Sequence, residues 1–349
     1  MTETPGLDVA GLTGWLQRAH PDLAGGDLEA HVIAGGKSNL TYRIDGARIP
    51  LVLRRPPLGH VLASAHDMHR EHRVISALRD SPVPVPRTVD FVDDTSAAEV
   101  TGTPFFVMEF VDGTVLTRPR QNAQFTADAL RAVSLELAEI LAELHGVDAQ
   151  RVGLGDFGRG DGFLDRQLRT WRRQYDASRS RDLPTLDRLQ DSLRERMPDS
   201  ARSTIVHGDY RLDNAIVVGA GDTARIAAIL DWEMSTIGDP LVDLGMFGLY
   251  WNVGALPGAA GALPSSIDPA AGYPSFGELV DAYSARAGIG APDLSWYGAF
   301  AAYKLGVIAE GIHFRFSRGE TVGAGFDRIG ALVEPIAGEG LRQLGSGRR

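Results

Sequence analysis

The chain has 349 residues, 44% hydrophobic and 23% charged, the proportions of an ordinary globular protein with room for two domains. A formal net charge of −10 argues against a nucleic-acid partner. Cysteine is absent, which excludes disulfides and thiol chemistry and fits a cytoplasmic enzyme. The opening residues, MTETPGLDVAGL, carry neither a basic segment nor a long apolar core, so no secretory signal is expected. No apolar run is long enough to span a membrane.

Leu12, Trp15 and Leu16 recur at helical spacing and predict a short packing helix over residues 7–20. Two strand-like runs, 31–34 and 40–44, flank Gly35-Gly36-Lys37-Ser38-Asn39, which reads as a hairpin loop. A third strand covers 50–55, where alternation sends Arg54 and Arg55 to opposite faces. Ser64 to Asp67 reads as a capping box that opens a helix running to about Arg79. Met68, Ile75 and Leu78 form its buried stripe, and Glu71 falls on the same side. His60, His66, His69 and His72 crowd this region. Spacing of three and three spreads the helix rings over about a third of its circumference and no carboxylate pair joins them, so no metal site is inferred. A proline-rich turn at 81–86 ends the helix, and strands are predicted over 88–92 and 105–110.

Beyond Asp112-Gly113 the pattern turns helical. Leu130, Val133, Leu137, Ile140, Leu141 and Leu144 keep a 3.6-residue period, and the helix is expected to stop at His145-Gly146. Residues 153–160 read GLGDFGRG. A phosphate loop needs a strand before it and a helix N-terminus after it, and here a helix ends first. Phe163, Leu164, Gln167, Leu168, Trp171 and Tyr175 predict an amphipathic helix with Arg169, Arg172 and Arg173 on its polar side. Residues 254–274, rich in Gly, Ala and Pro, predict a flexible loop. Helices are predicted over 275–286, 294–315 and 323–344, and these are expected to build an acceptor pocket. Trp251, Tyr273, Tyr283, Trp296, Tyr297 and Tyr303 make that pocket aromatic and favour a mixed or apolar acceptor over a polycation. His313 and Arg315 read as helix-surface residues.

The stretch that carries chemistry is 205–244. Apolar Ile205-Val206 leads into His207-Gly208-Asp209, and Asn214 opens a second apolar run over 215–218. Gly219 and Gly221-Asp222 supply turn chemistry, and a third run, 226–230, delivers Asp231. A tight hairpin would bring Asn214 and Asp231 near each other. Phosphoryl transfer needs such a set: a carboxylate aimed at the attacking hydroxyl, and oxygen ligands holding Mg²⁺ on the phosphates. Asp209 is the expected base, with Asn214 and Asp231 as metal ligands. Singly, each residue is better explained as a cap or turn former. H-G-D-x-x-x-x-N, a strand ending in Asp231-Trp232 and the run Gly238-Asp239-Pro240-x-x-Asp243 together form a specific combination.

This combination resembles the aminoglycoside phosphotransferase and choline kinase family, whose fold is that of the protein kinases. The resemblance implies an α+β, two-lobed protein-kinase-like fold. A β-rich nucleotide-binding lobe would cover residues 1–111, and a larger, mostly helical catalytic and substrate-binding lobe 112–349. The family pattern implies that the loop with Gly35, Gly36, Ser38 and Asn39 folds over the ATP phosphates. It puts Arg54 where kinases place a lysine that reaches the α- and β-phosphates, with Glu71 as its helix partner. Backbone at Glu109 and Val111 would bond adenine, with Met108 behind it, and Asp243 would anchor the catalytic loop. Arginine at 54 is a departure, because it keeps the charge but offers a planar fork. Asp156-Phe157-Gly158 spells the kinase metal motif but precedes Asp209, whereas Asp231 follows it as the motif requires.

The activity implied is ATP- and Mg²⁺-dependent phosphorylation of a hydroxyl on a small molecule, without nucleic acid or membrane. Asp231 and Asp243 stand too close for an activation loop between them, which argues against a protein substrate. Arg54 motivates one alternative, a catalytically silent kinase-like module that binds a nucleotide or another ligand. A dinucleotide-dependent oxidoreductase is excluded, since no G-x-G-x-x-G joins a strand to a helix. Nothing in the sequence specifies an oligomeric state.

Overall fold

The computed structural model describes residues 4–33, 39–58, 67–200, 202–256, 263, 265–320 and 326–346. The chain divides into two compact units. One is Met1–Asp112 together with Ala227–Glu233; the other is Gly113–Ile226 together with Met234–Arg349.

The first unit opens with α1 (Val9–Ala19), capped by the Asp8 carboxylate, which accepts from the N–H groups of Ala10 and Gly11. Then come β1 (Glu29–Val32), β2 (Leu40–Asp45), β3 (Leu51–Arg55), α2 (Met68–Ala77), β4 (Thr88–Val92) and β5 (Phe105–Glu109). The five strands form one antiparallel sheet in the order β1-β2-β3-β5-β4. Tyr42, Ile44, Leu51, Leu53, Phe105 and Val107 pack with Leu12 and Leu16 of α1 into one cluster. Helix α2 packs against β4 and β5, burying Met68, Glu71, Val74 and Ile75. Its cap is Asp67, whose carboxylate accepts from the Arg70 N–H. Ser64, expected to cap, lies outside the described residues, as do His60, His66 and the loop residues Gly35, Gly36, Lys37 and Ser38.

The second unit contains β6 (Thr114–Val115), α3 (Ala127–Gly146), α4 (Phe163–Ser178), α5 (Pro184–Glu195), β7 (Thr204–Val206) and β8 (Ala215–Val218). Strand β9 (Arg225–Ile229) passes into the first unit at Ala227. After it come β10 (Thr236–Gly238), α6 (Leu241–Asn252), α7 (Phe276–Ala287), α8 (Ser295–Ser317) and α9 (Val333–Ser346). Helix α3 ends at Gly146, within the expected stop, with Val147 as its C-cap. Strand β7 pairs with β10, and β6 with β8, so the central stretch is not one simple meander.

Helix α8 is buried on every side from Trp296 to Val307, and α4, α5, α6 and α9 pack against it. Helix α5 had no counterpart in the sequence reading. It buries Leu186, Leu189 and Leu193 in the same cluster.

Two expectations are corrected here. The six aromatic residues assigned to an acceptor pocket are all buried and tied internally. The Trp251 indole donates to Pro274 O, Tyr273 O–H to Asn122 Oδ1, Trp296 to Leu193 O, Tyr297 O–H to Asp239 Oδ2, and Tyr303 O–H to Gln190 Oε1; Tyr283 bonds His145. They are core. Residues 265–274 are also better fastened than a flexible loop: buried Ser266 donates to Leu116 O at 2.9 Å, and Asn122 donates to Ser266 O at 2.8 Å.

Candidate active site

In the second unit the chain leaves β7 into His207-Gly208-Asp209. Gly208 has φ +86, and a Cβ there would fall 2.6 Å from the Met234 carbonyl oxygen, so conformation and space both demand glycine. Both peptide N–H groups at the start of this turn point at Asp243 of α6. Its Oδ2 accepts from His207 at 2.7 Å and its Oδ1 from Gly208 at 2.8 Å. Pro240 is the N-cap of α6, and the Asp239 carboxylate before it accepts from the Leu241 N–H at 2.9 Å. Asp243 is fully buried, and the His145 ring of α3 reaches its Oδ2 at 3.2 Å. A carboxylate only accepts, so His145 Nε2 donates to it, and the ring's Nδ1 lies 2.9 Å from the Tyr283 hydroxyl. Burial alone would raise the Asp243 pKa. The bonds from His145 and the loop N–H groups outweigh that and hold it below its ordinary value.

Asp209 follows. Its N–H donates to His207 Nδ1 at 3.2 Å. Asn214, at the head of β8, donates from Nδ2 to the Asp209 carbonyl at 2.8 Å and to its carboxylate at 3.3 Å. The predicted base and one predicted metal ligand are therefore in contact. The amide nitrogen is spent on Asp209, which turns Asn214 Oδ1 away as a free hard oxygen donor. Arg211 Nε lies 3.3 Å from the Asp209 carboxylate, and its guanidinium stacks over Tyr250 at 4.7 Å. Burial first, then the Asp209 charge, push the Tyr250 pKa well up. On the far side of Gly208, Lys304 of α8 donates to the Gly208 carbonyl at 2.6 Å.

In the first unit, Arg54 on β3 donates from Nε to Glu71 at 2.9 Å and from Nη2 to Asp231 at 2.6 Å, with Glu233 at 3.5 Å. Asn39 Nδ2 donates to Glu233 at 2.9 Å. Arg55 faces the other way, toward the carbonyls of Gly6 and Thr101. Burial would lower the Arg54 pKa, but the three carboxylates reverse this and raise it. Glu71 is 2% exposed; burial pushes its pKa up to about 7 against the pull of Arg54. Asp231 sits at φ +66, a left-handed conformation that aspartate tolerates better than most side chains. The Glu109 N–H is taken by Arg87 O at 2.8 Å, so at that residue adenine could meet only the carbonyl. Val111 lies just past β5.

Gly35, Gly36 and Ser38 lie outside the described residues. Asp209 and Asn214 belong to the second unit; Arg54, Glu71, Asp231, Glu109 and Val111 belong to the first. Glu233, Lys304, His145, Arg211 and Tyr250 were not singled out from sequence. Lys304 had a signal, a lone charge inside an apolar run. Among the described residues no group of three or more His, Cys, Asp or Glu forms a metal cluster, and no helix is long and apolar enough to cross a membrane. In GLGDFGRG, Phe157 is core, and a Cβ on Gly158 would fall 2.3 Å from Thr236 Oγ1, so this glycine serves close packing. A cavity of about 500 Å³ beside Gly248, Phe276, Asp293 and Gln343 holds none of the predicted site residues.

Residues 29–279 match the family described as the phosphotransferase enzyme family. Acyl-CoA dehydrogenase family member 11 of Homo sapiens is 34% identical over 311 residues, covering 88% of this chain and 39% of that protein. Acyl-CoA dehydrogenase family member 10 of Mus musculus is 34% identical over 314 residues, covering 89% and 29%. The chain thus spans well under half of these curated relatives. A crystal structure from Ralstonia eutropha JMP134, assigned as an aminoglycoside phosphotransferase, superposes with a TM-score of 0.81 at 30% identity, covering 98% of this chain and 100% of that one. The GDP complex of aminoglycoside 2'-phosphotransferase-IIIa, at 18% identity and a TM-score of 0.61, shares the fold. With the family pattern running through most of its length and a protein-kinase-like fold beneath it, the chain belongs to the phosphotransferase enzyme family.

Proposed function

We propose that the protein transfers the γ-phosphoryl group of ATP, with Mg²⁺, to a hydroxyl of a small molecule. The observation that carries this reading is Asp209 in contact with Asn214 on a loop whose backbone a buried Asp243 holds. Asp209 orients the acceptor hydroxyl and takes its proton as the bond to phosphorus forms. Asn214 Oδ1 in the second unit and the Asp231 carboxylate in the first are each hard oxygen donors suited to Mg²⁺, which when bound would neutralise charge on the phosphates. Solved relatives of this fold include complexes with GDP and with AMP-PNP, which supports a nucleotide as donor.

Arg54 keeps its ion pair with Glu71, so its replacement of lysine gives little support to a silent module. The aromatic argument for the acceptor does not survive the burial of those rings. Two cationic groups near Asp209, Arg211 and Lys304, still disfavour a polycation. The names of the curated relatives place acyl chemistry in the same proteins, so a hydroxylated acyl compound is the acceptor class to assay first.

Asp209→Asn is expected to lower phosphoryl transfer by about 10²–10⁴-fold while the thermal shift with Mg-ATP stays near that of the parent. An assay of ADP release across hydroxyacyl compounds, simple alcohols and aminoglycosides checks it. Undiminished turnover in the variant would refute the assignment of Asp209.

A further inference from the structure

Lys304 is the one charged residue in the buried run of α8 from Trp296 to Val307. Its neighbours along α8 from Trp296 to Val307 are buried, and Lys304 itself is 5% exposed. Desolvating an ammonium costs several kcal/mol, on the order of a whole core side chain, unless partners compensate. Here they do so in part: burial lowers the Lys304 pKa, and Asp209 and Asp243 only oppose the shift.

Its short-range partner is a neutral backbone group. Nζ donates to the Gly208 carbonyl at 2.6 Å, lies 3.9 Å from the Met234 sulfur, and sits 5.3 Å from the centre of the Trp171 ring. An apolar residue of similar volume would serve packing alone equally well. The charge therefore serves what it holds.

That carbonyl belongs to the peptide joining Gly208 to Asp209. The preceding peptide is fixed by Asp243 through the Gly208 N–H. A buried carboxylate and a buried ammonium thus grip the two peptide planes on either side of one glycine at φ +86. Glycine restrains its own torsions least of all residues, so the grip must come from outside. A cavity of about 60 Å³ adjoins Lys304, Gly208, Met234 and Thr236, leaving space into which an unheld peptide could rotate.

We infer that Lys304 is a positioning residue for the transfer: its ammonium fixes the Gly208–Asp209 peptide and thereby the direction in which the Asp209 carboxylate meets the acceptor hydroxyl. This rests on the proposed role of Asp209. A charge-assisted hydrogen bond is roughly twice as strong as a neutral one, which suits a lysine to the task.

The test uses Lys304→Met in the full chain. The expected result is a Tm within a few degrees of the parent, because methionine fills the space without a desolvation cost. kcat falls about 10²-fold, the usual effect of a small misplacement, while KM for ATP and acceptor changes less than about threefold. Amide hydrogen exchange over 205–214 quickens while that of α6 holds. In Lys304→Ala, ethylammonium entering the vacated space restores part of kcat. A folded methionine variant with parental kcat overturns the inference, as does a raised KM with kcat intact, which would make Lys304 an acceptor contact. If the parent itself transfers no phosphate, the proposed function fails. The exchange measurement then decides the grip alone, and unchanged exchange over 205–214 overturns it.

Discussion

Glu71 and Arg54 illustrate how one guanidinium serves several masters. Arg54 bonds Glu71 and Asp231 and lies near Glu233, and Glu71 has almost no access to water. Burial therefore wins over Arg54 and pushes the Glu71 pKa up to about 7 from an ordinary 4.5. Between those values the folded state keeps a proton that the unfolded chain has lost. The stability from Glu71 is complete below 4.5 and disappears as pH rises through 7. Urea melts of the parent should show this contribution falling between pH 4.5 and about 7, by on the order of 1 kcal/mol per pH unit at most. Glu71→Gln, neutral throughout, should flatten that part of the profile, and equal slopes would contradict it. The Arg54–Glu71 pair was expected from the family pattern, and helix spacing agreed in placing Glu71 on the buried side. Glu233 was not, since nothing local marks a glutamate after Asp231 as a partner of Asn39 and Arg54. The same holds for the grip on Gly208, which joins residues far apart in the chain.

At the scale of elements, the five strands of the first sheet and most of the helices could be read from local pattern, with α5 the exception. Their pairing could not. Local pattern makes 204–206 a strand, but only tertiary structure selects β10 as its neighbour. Residues 254–274 misled for a related reason. Small residues and prolines suggest little to pack, yet one distant side chain, Asn122, bonds both Ser266 and Tyr273, and Ser266 also donates to Leu116 O. Asn122→Ala removes both bonds and leaves a buried carbonyl and a buried hydroxyl without their partner. We expect a loss of about 1–3 kcal/mol in chemical denaturation. Limited proteolysis should cut within 254–274 sooner than in the parent, and an unaltered digestion pattern would argue that other contacts hold the segment.

For the molecule as a whole, the core of the second unit absorbs the rings that sequence reasoning had assigned to substrate. Trp296 stacks on Phe300 within α8, with ring centres 5.2 Å apart, and bonds α5 through Leu193 O. Trp296→Ala should therefore cost about 3–5 kcal/mol in unfolding free energy, and Tyr303→Phe only about 1 kcal/mol. Neither should change which acceptors are used, as measured on the folded fraction. A shift in acceptor preference would return these rings to the pocket.

The first unit is discontinuous along the chain, since it regains Ala227–Glu233 after a long excursion. No single cut can therefore release it whole. A fragment ending at Asp112 lacks Asp231 and Glu233, so Arg54 is left with Glu71 alone of its three acids. Anyone dividing this protein into halves for expression, or rewiring its termini by circular permutation, must carry that short return segment along with the N-terminal piece.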